Sequence, residues 1–188
     1  MRRPKDRLPI VTPPLRNVAL IGYRGTGKST VARQLARRWG WACIDADVEI
    51  ERRAGRSIAE IFAAQGETGF RDLEETVVAA LCEQPAAVLA LGGGAVLREA
   101  NRAALRQCGA VVWLQATVEA IAGRLADDPT TASRRPNLTK SGGRQEIERV
   151  LAERTPIYRA CATLEVDTEG KSPEAISDEI VAAIGSVP

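Results

Sequence analysis

The chain has 188 residues, 45% apolar and 27% charged, which is one ordinary globular domain with room for a sizeable core. A formal net charge of +2 gives no global field to gather nucleic acid or an anionic membrane, and 4% aromatics make no base-stacking surface. Histidine is absent, so acid–base work falls to Asp, Glu, Lys or Tyr.

Residues 1–16 set Pro4, Pro9, Pro13 and Pro14 among Arg2, Arg3, Lys5, Arg7 and Arg16. With no apolar core to that stretch, it reads as a flexible basic tail and not as a secretory signal. Residues 17–186 make the single folded domain. The apolar run 17–21 predicts a first strand, and 31–39 has the spacing of a helix. Between them, Gly22-Tyr23-Arg24-Gly25-Thr26-Gly27-Lys28-Ser29 fits the phosphate-binding loop pattern G-x-x-x-x-G-K-[ST]. Glycines let backbone amides turn in on a polyphosphate, and the following helix points its positive end at the same anion. Lys28 supplies a mobile charge for the outer phosphates, and the Ser29 hydroxyl is a hard oxygen ligand suited to Mg²⁺. This predicts nucleotide binding.

A short second strand, 41–45, ends in Asp45-Ala46-Asp47. A helix over 48–54 is closed by Gly55. Ser57 and Glu60 form a capping box that opens a helix through Ala64, which Gly66 ends. Residues 68–84 form an amphipathic helix with Phe70, Leu73, Val77, Val78 and Leu81 as its buried stripe. A buried strand at 87–91 runs into Gly92-Gly93-Gly94. Residues 99–108 read as helix and 110–114 as strand, and Thr117 caps a helix to Leu125. The aperiodic, polar stretch 127–143 is too long for an idle connection and is read as a mobile lid. A helix from 144 to about 160 is interrupted near Pro156. A strand at 164–166 precedes a final helix begun by Ser172-Pro173.

Alternating strands and helices predict an α/β domain of the P-loop kinase class: a five-stranded parallel sheet, helices on both faces, like nucleoside monophosphate kinases. The cysteines Cys43, Cys82, Cys108 and Cys161 lie far apart with no C-x-x-C pair, as expected of reduced thiols in a cytoplasmic protein. No guanine-reading N/T-K-x-D segment is present, and the acids end the second strand beside the phosphate loop, a small-molecule kinase layout. Asp45 and Asp47, two apart at a strand end, are expected to face one cleft.

From Asn17 to Ile184 the sequence resembles one family, shikimate kinase. The resemblance rests on residues 22–30, Asp45-Ala46-Asp47, residues 55–62, and Gly66-Glu67 with Phe70-Arg71 and Glu74. It continues through Leu91-Gly92-Gly93-Gly94, Arg135-Pro136 and Arg154-x-Pro156-x-Tyr158. It implies ATP-dependent phosphorylation of the 3-hydroxyl of shikimate, a step of aromatic amino-acid biosynthesis, by a monomer that needs neither nucleic acid nor membrane. The implied catalytic residues are Asp47 as base, Lys28, and Arg135 as the lid arginine. Gly25, Thr26, Gly27, Lys28, Ser29, Thr30, Arg135 and Lys171 are then expected at ATP. Asp47, Arg71, Glu74, Gly92, Gly93, Gly94 and Arg154 are expected at shikimate, with Ser29 and Asp45 at Mg²⁺. Arg71 and Arg154 match the carboxylate-binding arginines, and Glu74, one turn on, is expected to hold Arg71. Three departures stand out: Asn137 after Arg-Pro, a longer approach to Arg135, and Asp128 where an adenine-stacking arginine is usual, with Arg124 as its substitute. A gluconate or nucleoside monophosphate kinase, or a non-catalytic nucleotide sensor, remains a rival reading.

Overall fold

The computed structural model describes residues 16–127 and 143–185. Its elements are β1 Asn17–Ile21, α1 Lys28–Trp39, β2 Ala42–Asp45, α2 Ala46–Ala54, α3 Ile58–Glu83 and β3 Ala87–Ala90. There follow α4 Glu99–Cys108, β4 Ala110–Gln115, α5 Val118–Ala126, α6 Gly143–Cys161, β5 Leu164–Asp167 and α7 Pro173–Ile184. The strands form one parallel sheet in the order β2-β3-β1-β4-β5, as the alternation of elements requires.

Both faces of the inner strands are buried, and the two-residue period sorts their side chains cleanly. Val18 and Leu20 of β1, Val88 and Ala90 of β3, and Val112 and Leu114 of β4 pack under α1 and α7. Ala19, Ile21, Leu89, Val111 and Trp113 pack on the other face against α2, α3, α4 and α6. A small third cluster, Tyr23 with Ile121, Ile147 and Val150, fastens the loop after β1 to α5 and α6. Asn17 closes the bottom of the sheet. Its side chain donates to Cys82 O and Gln84 O at 3.2 and 2.6 Å and accepts from the Ala87 amide at 2.9 Å.

Several boundaries differ from the sequence reading, each for a local reason. Helix α2 begins at Ala46, because the Asp45 carboxylate caps it by accepting the Asp47 amide at 3.0 Å. Asp47 therefore stands in a first helical turn and not two along a strand. At Gly66 the helical course is broken as expected: it adopts φ 66°, ψ −170°, and the two helical stretches on either side follow each other directly in α3. No interruption occurs at Pro156: α6 continues through it, anchored before it by Val150 in the cluster with Tyr23 and Ile121 and after it by buried Tyr158 and Cys161 against the sheet. The expected lid falls almost wholly on residues 128–142, which lie outside the described residues, as do the tail 1–15, Arg135 and Asn137. Among the described residues no helix is long and apolar enough to cross a membrane.

Candidate active site

The parallel sheet brings the C-terminal ends of β1, β2 and β3 side by side, and the loops that leave them line one cleft of about 240 Å³. Its wall includes Arg24, Gly25 and Gly27 from the first loop with Lys28 and Ser29 at the start of α1, Asp45 at the end of β2, Asp47 and Glu51 in α2, and Gly92 and Gly93 after β3.

The first loop is shaped for an anion. Gly22 takes φ 135°, and a Cβ there would stand 2.5 Å from the Leu114 carbonyl oxygen, so no other residue fits. Gly27 enters α1 at φ 90° without a side-chain cap, and the first turn of α1 carries no acid. The positive end of that helix is thus left for a ligand. Lys28 Nζ donates to the carbonyls of Gly22 at 2.9 Å and Tyr23 at 2.7 Å, folded over the loop it is to charge-balance. Thr26 points inward, its hydroxyl donating to Tyr23 O at 2.8 Å, and Thr30 is exposed on α1.

Beside it, the Ser29 hydroxyl donates to Asp45 Oδ2 at 2.7 Å, while Asp45 Oδ1 takes the Asp47 amide. Asp45 thus caps α2 through one oxygen and meets the Ser29 hydroxyl through the other. Starting α2 at Ala46 still leaves both carboxylates on the cleft wall.

The third loop gathers the arginines. Arg71 is held by Glu74 at 2.6 Å and more weakly by Glu67 at 3.2 Å, with its side chain 9% and that of Glu74 1% exposed. It lies so close to the glycine turn that a Cβ on Gly94 would be 2.4 Å from its Nη2. Arg154, arriving from α6, donates to the Gly93 carbonyl at 3.1 Å, as does the Tyr158 hydroxyl at 2.5 Å. Two arginines more than eighty residues apart therefore flank adjacent glycines.

Of the described residues expected at the site, Thr26, Thr30, Arg71, Glu74, Gly94, Arg154 and Lys171 do not line the cleft itself. Arg71 and Arg154 stand behind its glycine turn, whereas Lys171 pairs with Glu179 at 2.6 Å. Arg124 does reach the loop. It donates to Gly25 O at 3.3 Å and to Thr168 Oγ1 and O at 3.1 Å each, joining the phosphate loop to the turn before α7. Sequence reasoning missed Arg24, Glu51 and Ile58 on the wall. Arg24 sits at a variable position of the loop pattern, and its partner Glu146, 2.7 Å away and wholly buried, comes from α6. No local signal links residues 122 apart; only the docking of α6 does. Burial raises the pKa of the Tyr23 hydroxyl beside them above its ordinary value.

A model of the shikimate kinase family matches residues 24–185. The shikimate kinase of Rhodopirellula baltica is 46% identical over 167 residues, 89% of each chain, and that of Pseudomonas putida 42% over 174 residues, 93% of this chain and 99% of the other. The chain belongs to the shikimate kinase family. A solved shikimate kinase from Acinetobacter baumannii, in complex with shikimate, superposes with a TM-score of 0.84 at 37% identity, covering 90% of this chain and 93% of that one. The P-loop kinase fold expected from the sequence is thereby shown.

Proposed function

We propose that this member of the shikimate kinase family transfers the γ-phosphoryl group of ATP to the 3-hydroxyl of shikimate, giving shikimate 3-phosphate and ADP. The family membership and the coverage of whole relatives support the reaction. The observation that carries the assignment of roles is the cleft itself, with a phosphate loop on one side and Asp47 and the Arg154-held glycine turn on the other.

In this reading Gly25, Thr26, Gly27, Lys28, Ser29 and Thr30 hold the nucleotide phosphates, with Lys171 and Arg124 towards its base. Arg71, braced by Glu74, and Arg154 take the shikimate carboxylate in charge-assisted bonds, and Gly92, Gly93 and Gly94 form the floor beneath the ring. Asp47 accepts the 3-hydroxyl proton as the oxygen bonds to the γ-phosphorus and the bond to the β,γ-bridging oxygen breaks, the electron pair leaving with ADP. A carboxylate is a weak base, but the loose transition state of phosphoryl transfer asks more of positioning than of proton abstraction. Arg135, outside the described residues, is assigned to the charge that develops during transfer.

Ser29 Oγ and Asp45 Oδ2, 2.7 Å apart at the mouth of the phosphate loop, are hard oxygens suited to Mg²⁺. A two-residue donor set would suit Mg²⁺, which is commonly held by few protein ligands beside substrate phosphates. Bound there it would neutralise phosphate charge. We assign the protein to the cytoplasm and to work as a monomer, following the family.

A coupled assay of ADP release with shikimate, gluconate, CMP or no acceptor tests the reading. Turnover with shikimate alone is expected. Comparable turnover with gluconate or CMP would overturn the acceptor, and ADP release with none of them would leave only a nucleotide sensor.

A further inference from the structure

The glycine turn after β3 does not hold its three carbonyls alike. Those of Gly92 and Gly94 accept backbone amides, from Ala95 and Leu97, each at 3.0 Å. The Gly93 carbonyl is held from outside by α6, through the Tyr158 hydroxyl at 2.5 Å and Arg154 Nη1 at 3.1 Å. Four residues apart, the two donors rise from the same face of that helix.

They are not equivalent donors. Tyr158 is wholly buried and stacked on Trp113, with ring centroids 5.7 Å apart, so its hydroxyl is fixed in place. Arg154 is only half-buried and has a long, turning side chain with several N–H groups. The same stack continues to the phosphate loop: a Cβ on Gly93 would lie 3.2 Å from Gly22 O and 3.5 Å from both Arg24 N and Tyr158 Oη.

We propose that Tyr158 is a positioning residue for the acceptor, whose hydroxyl keeps the Gly93 carbonyl satisfied so that Arg154 is released to the shikimate carboxylate. The inference rests on the assignment of Arg154 to that carboxylate. A buried carbonyl without a donor is costly. Were Arg154 its sole donor, the substrate would have to compete with the carbonyl for one guanidinium. With Tyr158 in place, the departure of Arg154 leaves the shorter of the two bonds intact, and the floor of the cleft does not shift as substrate enters.

Tyr158→Phe keeps the ring and its stacking and removes only the donor. The Kd for shikimate should rise about tenfold, the scale of one buried hydrogen bond. The KM for ATP and kcat at saturating shikimate should stay within about twofold, a split that a general loosening of α6 would not produce. In an Arg154→Met background the Tyr158→Phe penalty on shikimate should vanish, since no guanidinium remains to be held back. A Tyr158→Phe enzyme with unchanged shikimate affinity, or with equal losses for both substrates, overturns the proposal, as does a penalty that persists in the Arg154→Met background. If Arg154→Met itself leaves shikimate binding intact, the carboxylate assignment fails and the proposal with it.

Discussion

Gly94→Ala asks whether the place of one guanidinium sets acceptor affinity. Gly94 has φ −100° and ψ −3°, a negative-φ conformation open to alanine, so the substitution meets no left-handed backbone barrier. The new methyl would meet Arg71 Nη2, Nη1 and Cζ at 2.4, 2.6 and 2.7 Å. Reaching ordinary contact near 3.4 Å requires the guanidinium to retreat by about 1 Å. That stretches its 2.6 Å bond to Glu74, whose side chain is only 1% exposed and cannot follow into water. A buried charge-assisted hydrogen bond is worth about 1.5–3 kcal/mol, so shikimate affinity should fall roughly 10- to 150-fold if the substrate carboxylate uses the original position. The phosphate loop is untouched, so ATP affinity should hold within about twofold. Isothermal titration of each substrate, with a thermal melt to confirm folding, makes the measurement. A folded variant that binds shikimate as the wild type does would show that Arg71 braces the helix and does not recognise the acceptor.

Asp47→Asn keeps shape but cannot take a proton, and kcat should drop by at least about 10²-fold with ATP affinity little changed; near-normal turnover in steady-state assays would remove Asp47 from the chemistry. Asp45→Ala should raise the Mg²⁺ concentration that gives half-maximal activity and, through loss of the α2 cap, cost about 1 kcal/mol in urea unfolding. An unchanged Mg²⁺ titration would confine Asp45 to capping. The hydrogen bonds from Arg52 and Arg53 hold the Glu49 carboxyl down to about 2 from an ordinary 4.5. With the folded value the lower, the stability this pair gives is complete above about 4.5 and drains as pH falls towards about 2. Glu49→Gln should therefore be less stable than wild type at pH 7, with the gap nearly closed near pH 2 and gone below it. A gap that stays constant in denaturant titrations across that range would contradict the pairing.

Much of this molecule is local and could be read from local sequence. The glycines at 22, 25 and 27, the lysine and the hydroxyl that follow them fix a phosphate loop because positive φ and inward amides are properties of consecutive residues. The capping box at Ser57 and Glu60, the break at Gly66 and the proline that starts α7 are equally short-range. Continuous apolar runs marked β1, β3 and β4 as strands buried on both faces, and their alternation with helices implied the parallel sheet. Both acids face one cleft as expected, but not through strand alternation. Asp45 and Asp47 share the cleft because one caps the helix that carries the other, and the side-chain bond to an amide two residues on outweighs strand continuation. What only the tertiary structure decided is who meets whom across the chain. The docking of α6, carried by Ile147 and Val150 against Tyr23 and Ile121 and by Tyr158 and Cys161 against the sheet, delivers Glu146 to Arg24 and both Arg154 and Tyr158 to one glycine carbonyl. Those pairings depend on how two apolar faces settle at contact distance, and burial favours every such face alike without naming its partner.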